Sequence, residues 1–110
     1  MSNVFEKGEV LKLSELVDYS NGGVISKQIL KSEAGNITLF SFDQGQGLSE
    51  HTAPFDAMVQ ILDGKVEIKI GGNPFMLEKN DTIIMPANIS HALYAVEKFK
   101  MLLTMIKDKG

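Results

Sequence analysis

The chain has 110 residues and a net charge of −3, with 44% hydrophobic and 23% charged residues, the balance of an ordinary soluble globular domain. Its length sets a prior of one domain, residues 1–110, and a chain this size buries roughly 65% of the surface exposed when unfolded, enough for a core without staples. There is no cysteine, which excludes disulfides, thiolate metal sites and a cysteine nucleophile and suits a reducing cytoplasm, and there is no basic stripe of the kind that binds nucleic acid.

The opening stretch MSNVFEKGEV has no basic start followed by an apolar run, so it is not read as a secretory signal. No apolar run approaches the ~20 residues that span a bilayer. The expectation is a cytoplasmic protein with neither membrane nor nucleic acid as a partner. In LKLSELVDYS, Leu13, Leu16 and Val17 fit a short helical turn, whereas Leu11 and Leu13 fit a strand; both stay open. Asn21, Gly22 and Gly23 then form a turn signal.

From Val24 onward the pattern is that of strands. VISKQILK is apolar and β-branched, and Gly35 and Asn36 punctuate it. ITLFSF is apolar on both parities, Ile37 and Leu39 on one and Phe40 and Phe42 on the other, which predicts a strand covered on both faces. DQGQG is a loop, with neither the lysine nor the helix signal of a phosphate loop. The clearest strand is KVEIKI, with Val66, Ile68 and Ile70 on one face and Lys65, Glu67 and Lys69 on the other. Asp63-Gly64 is a hairpin signal linking AMVQIL to it. Gly71-Gly72-Asn73-Pro74 is another turn before FMLEK, and Asn80-Asp81 precedes TIIMP. HALYAV and KFKMLLTMI close the chain. Short strands spaced by such turns predict an all-β sandwich or barrel.

The two histidines, His51 and His91, each open an expected strand after a loop. Ser49 and Ser90 lie beside them in sequence without the geometry of a nucleophilic triad. Spacing around the histidines carries a resemblance. Gly45, His51 and Gly64 fit G-x5-H-x-H-x3-E-x6-G, with Ala53 and Ala57 where the second histidine and the glutamate belong. Asn80, Pro86, Asn88, His91 and Ala95 align with G-x5-P-x-G-x2-H-x3-N. The chain therefore resembles the cupin superfamily, in particular its small single-domain conserved-barrel members, with a degenerate metal motif.

The resemblance implies a double-stranded β-helix, or jelly-roll barrel, over about residues 24–106, behind a short N-terminal extension. It implies a homodimer, for which a strand such as ITLFSF offers a face. It also implies a divalent transition metal (zinc, iron, manganese, nickel or copper) wherever the ligand set survives. Here His51 and His91 are the candidate ligands, with Asp56 or Gln60 as a third. By strict alternation Asp56 faces away from the histidines, and only a β-bulge would re-aim it; Gln60 has the same outward parity. Ala53, Ala57 and Ala95 leave room for a pocket, which Met58, Met76, Met85, Met101 and Met105 are able to fill. Three functions follow: a barrel that binds a small molecule, with or without a metal on the two histidines; a metal-dependent dioxygenase, isomerase or lyase; or a non-catalytic dimeric interaction module.

Overall fold

The computed structural model describes residues 5–107, so the expected domain limits at residues 1 and 110 lie outside the described residues. Among these described residues nine strands follow one another: β1 (Val24–Ser32), β2 (Gly35–Phe42), β3 (Gly47–His51), β4 (Phe55–Asp63), β5 (Lys65–Ile70), β6 (Asn73–Glu78), β7 (Thr82–Met85), β8 (His91–Ala95) and β9 (Phe99–Lys107). They form two antiparallel sheets, a larger one of order β1-β2-β9-β4-β7 and a smaller one of order β3-β8-β5-β6. The architecture is an all-β jelly-roll barrel whose inner faces enclose one core.

Alternation accounts for that core. On β5, Val66 and Ile68 are fully buried inside the barrel, while Lys65, Glu67 and Lys69 have the opposite parity. On β2, Phe42 packs inside, and Leu39 packs outside against Val17 and the N-terminal segment. ITLFSF is thus covered on both sides, as its composition predicts, and its own chain occupies much of the face offered to a dimer partner.

The N-terminal segment resolves as a single 3₁₀ turn, Leu13–Glu15, not a strand. Several bonds strap it to the larger sheet. The Ser41 hydroxyl donates to the Asp18 carbonyl at 2.8 Å, and the Lys100 ammonium donates to the Ser14 carbonyl at 2.7 Å. The Tyr19 hydroxyl donates to Asp63 at 2.5 Å while Lys98 and Lys100 sit over its ring. Burial, then the Asp63 bond, pushes the Tyr19 phenol well above its ordinary range.

One turn differs from its sequence reading. Asp63-Gly64 is not a hairpin: β4 lies in the larger sheet and β5 in the smaller, so the chain changes sheets there. Gly64 has φ +83°, and a Cβ on it would stand 1.9 Å from the Lys98 carbonyl oxygen. The glycine is required by a close crossing over Lys98 and Phe99 as well as by the turn. The true two-residue hairpin is Gly71-Gly72, with φ +56° and +86°, joining Ile70 to Asn73 in register. Pro74 therefore lies within β6, which it can do because β6 is an edge strand.

Candidate functional site

His51 closes β3 and His91 opens β8, and the register places them directly opposite each other on the smaller sheet. Their rings meet edge to face with centroids 4.4 Å apart. Each ring folds back on its own strand in the same way. His51 Nδ1 lies 2.7 Å from the Ser49 carbonyl, and His91 Nδ1 lies 3.3 Å from the Ile89 carbonyl. A carbonyl only accepts, so each Nδ1 carries the proton and each Nε2 the lone pair. His91 is buried and His51 is exposed, so the pair runs from wall to mouth. Burial lowers the His91 pKa below 6.5, the Ile89 carbonyl partly opposes this, and His51 adds to the lowering.

Across the barrel lies a row of the larger sheet. Ala57 on β4 pairs with Met85 on β7 at one side and with Met105 on β9 at the other. Between this row and the histidines is a cavity of about 150 Å³. Ala53, Ala57, His51 and His91 line it. Its remaining wall is apolar: Leu48, Phe55, Leu93 and Leu103, together with Met85, Met101 and Met105. Methionines thus narrow the hollow without closing it. Met58 and Met76, also considered as fillers, lie off the cavity wall, Met76 being half exposed.

Three expected residues lie elsewhere. Asp56 is exposed, and its Oδ1 accepts the Ala87 backbone N–H at 2.9 Å. The β4–β9 register is unbroken from Phe55 to Ile61, so no bulge turns Asp56 inward. Gln60 is half-buried, opposite Thr82 and Leu102, and also off the cavity wall. Ala95 shares the inward parity of His91 but sits at the other end of β8, fully buried against the packed core and paired with Val66. The sequence reading missed the carbonyls of Ser49 and Ile89, which orient the rings. It also missed Leu48, Phe55, Leu93 and Leu103; Phe55, Leu93 and Leu103 share the inward parity of Ala57, His91 and Met101, whereas Leu48 and His51 differ in parity and line one cavity across a register shift in β3–β8, which is legible only once the strand pairings are known.

The cupin domain family model matches residues 38–107, well over half the chain. This chain is a cupin. It is similar to a conserved protein of unknown function from Streptococcus pyogenes, at 40% identity and a TM-score of 0.91, covering 100% of this chain and 98% of that one. It is similar to a cupin superfamily protein from Desulfitobacterium hafniense, at 29% identity and a TM-score of 0.87, covering 94% of each chain. A cupin 2 conserved barrel domain protein from Leptotrichia buccalis matches at 39% identity and a TM-score of 0.86; 88% of this cupin is covered, which spans only 47% of that chain. No curated protein matches.

The divalent metal implied by the family tests poorly against these side chains. A catalytic zinc site takes three protein ligands, and the facial iron site takes two histidines and a carboxylate. Among the described residues no group of three His, Cys, Asp or Glu side chains is placed to hold a metal ion. Asp56, the carboxylate one position before Ala57, is engaged by the Ala87 N–H on the outer face. The donor set of this cupin does not fit that ion. No helix among the described residues is long and apolar enough to cross a membrane.

Proposed function

We propose that this cupin binds a small, mostly apolar molecule bearing a hydroxyl or amine donor, seated beneath His51 and His91. The reading rests on one observation: two imidazoles locked by backbone carbonyls, so that their Nε2 atoms are acceptors, in the wall of an otherwise apolar hollow. Size narrows the ligand. The hollow is about 150 Å³, well below the ~300–1,000 Å³ of drug-sized sites but close to a cavity that takes benzene. A substituted six-membered ring is the upper limit without a change in the walls. The lowered His91 pKa keeps that ring neutral at neutral pH, which suits an acceptor and also a general base should the bound molecule react.

The same reading takes the protein to be cytoplasmic, in keeping with its lack of cysteine, and homodimeric. The outer face of the larger sheet supports the dimer. Beyond the N-terminal strap it leaves Leu30, Ile84 and Ile106 exposed, on a face where a second copy would bury them. Light scattering on a sizing column checks this, and a monomer at micromolar concentration rejects it.

The binding test is an NMR titration of the protein with phenol and, in parallel, with benzene. Phenol is expected to shift the His51 and His91 rings and the methyl groups of Met85, Met101 and Met105, and benzene to bind more weakly. Failure of phenol and other hydroxylated fragments of that size to shift these signals would reject the reading.

A further inference from the structure

We propose that Asn21-Gly22, at the junction of the N-terminal strap and β1, is a deamidation site that Asp43 holds in check, and that its conversion unfastens the strap. The proposal goes beyond small-molecule binding and does not depend on it. This is the one asparagine-glycine pair in the sequence, and both residues are exposed. The reaction needs only water. The Gly22 amide nitrogen attacks the Asn21 side-chain carbonyl carbon, and the new carbon–nitrogen bond closes a five-membered succinimide. The side-chain amide nitrogen leaves as ammonia, carrying the proton that the Gly22 nitrogen gives up. Water then opens the ring at either carbonyl, giving aspartate or the isomer whose main chain runs through the side chain. Glycine suits the attacking position because it has no Cβ to crowd the approach.

The fold opposes that closure twice. The Gly23 N–H donates to the Ser20 carbonyl at 2.9 Å, closing a turn in which Asn21 keeps a negative φ and Gly22 has φ +70°. This is a type II turn, whose second residue has ψ of about +120°. Ring closure needs the Gly22 nitrogen to eclipse Asn21 Cβ, a rotation of about 120° from there about the Cα–C bond. The turn must therefore open first. The attacking nitrogen is also held, since its N–H donates to Asp43 Oδ2 at 2.6 Å. The β1–β2 register puts Asp43 there: Val24 pairs with Phe42, and the Asp43 N–H donates to the Gly23 carbonyl at 3.0 Å. The N–H bonds from Gly22 and then from Gln44 hold the Asp43 carboxyl below its ordinary range, so it stays an acceptor.

Conversion works against the strap. It sets a second carboxylate beside Asp43, and the isomer adds a carbon to the main chain of the turn. The ties nearest that turn are the Ser41 hydroxyl on the Asp18 carbonyl and the Tyr19 hydroxyl on Asp63. Leu39, fully buried against Val17, is what their loss uncovers.

The test ages the whole protein at mildly alkaline pH beside a free peptide of residues Leu13 to Lys27, and reads both by mass. Cleavage after Lys12 and Lys27 isolates the same segment from the protein, and Asn21 is its only side-chain amide. Folded wild type is expected to convert at least about tenfold more slowly than the peptide, because only the opened turn reacts. Asp43→Ala is expected to convert about threefold faster than wild type or more, the worth of one exposed hydrogen bond. Asp43→Asn keeps an acceptor and should fall between the two. Wild type converting as fast as the peptide, or a folded Asp43→Ala converting no faster than wild type, would overturn the guarding role. The comparison of wild type with peptide holds whether or not Asp43→Ala folds. Converted protein carries one more negative charge and separates by ion exchange. Amide hydrogen exchange over residues 13–20 is expected to quicken in it, and unchanged exchange there would overturn the release of the strap.

Discussion

The two ends of the barrel are built from the same strands and filled differently. At one end Phe42 and Phe99 stack with ring centroids 4.6 Å apart and planes 2° from parallel, backed by Val66, Ile68, Ile61 and Ala95, every one of them 1% exposed or less. At the other end the same inward parities carry alanine, histidine and methionine around a hollow. β4 runs from Ile61 in the packed end through Val59 to Ala57 in the hollow, and β8 runs from Ala95 to His91 in the same sense. Cohesion is thus concentrated at one end, leaving the other free to trade packing for a binding space. Well-packed and loosely packed regions of one core are expected to answer differently to mutation.

The largest effect should come from the packed end. Phe99→Ala is expected to cost about 3–5 kcal/mol, the usual range for a buried aromatic truncated to alanine, read from the urea midpoint. His51→Ala, at the mouth, should stay within about 0.5 kcal/mol. Comparable losses from the two would abolish the distinction. Next, Ala57→Leu places a larger side chain in the hollow between Met85 and Met105. It is expected to remove phenol binding and to raise stability by about 0.5–1 kcal/mol, as cavity filling commonly does. A loss of stability would show that the hollow is smaller or stiffer than the walls indicate.

How much of this division could be read from sequence differs between the ends. Alternation in KVEIKI and ITLFSF gives the strands and their buried parities, and motif spacing puts His51 and His91 in one site. Pairing across strands is another matter. Met85 and Met105 flank Ala57 only because β7 and β9 both pair with β4, a long-range register that no local pattern encodes. For the same reason Ala95 looked like a pocket residue: parity says that it points inward but not at which end of the barrel. Asp63-Gly64 misled because aspartate-glycine serves equally for a hairpin and for a corner between sheets. What decides is Lys98 and Phe99, distant in sequence, which leave no room for a Cβ at Gly64.

Acidity should also act at the hollow end. The folded-state pKa of His91 lies below its ordinary 6.5, chiefly through burial. The unfolded chain then binds the proton more readily, so the contribution of His91 to stability is complete above about pH 6.5 and is lost as pH falls toward the lowered folded value. Urea midpoints taken at about pH 7.5 and about pH 5 should show a larger acid loss for wild type than for His91→Gln. Equal losses would place the acid sensitivity elsewhere in the molecule.

The smallest effect on binding is expected at Asp56, and it tests the boundary of the hollow. Its carboxylate accepts the Ala87 N–H, and the Asn88 N–H donates to the Ala53 carbonyl at 2.8 Å. The loop between β7 and β8, which leads into His91, is thus tied twice, by a side chain to the start of β4 and by backbone to the β3–β4 connection. Asp56→Ala removes one tie on the exposed side and leaves the other. It should cost about 0.5–1.5 kcal/mol, the net worth of one hydrogen bond, and leave phenol binding within about threefold of wild type, a difference below 1 kcal/mol. Should Asp56→Ala weaken binding as much as His51→Ala does, the carboxylate reaches the ligand, the unbroken β4–β9 register does not hold in solution, and the hollow carries an anion after all. That result would add a carboxylate to the two histidines, the set that suits a divalent metal, so the variant with the least expected effect on binding most directly tests the donor set of the hollow.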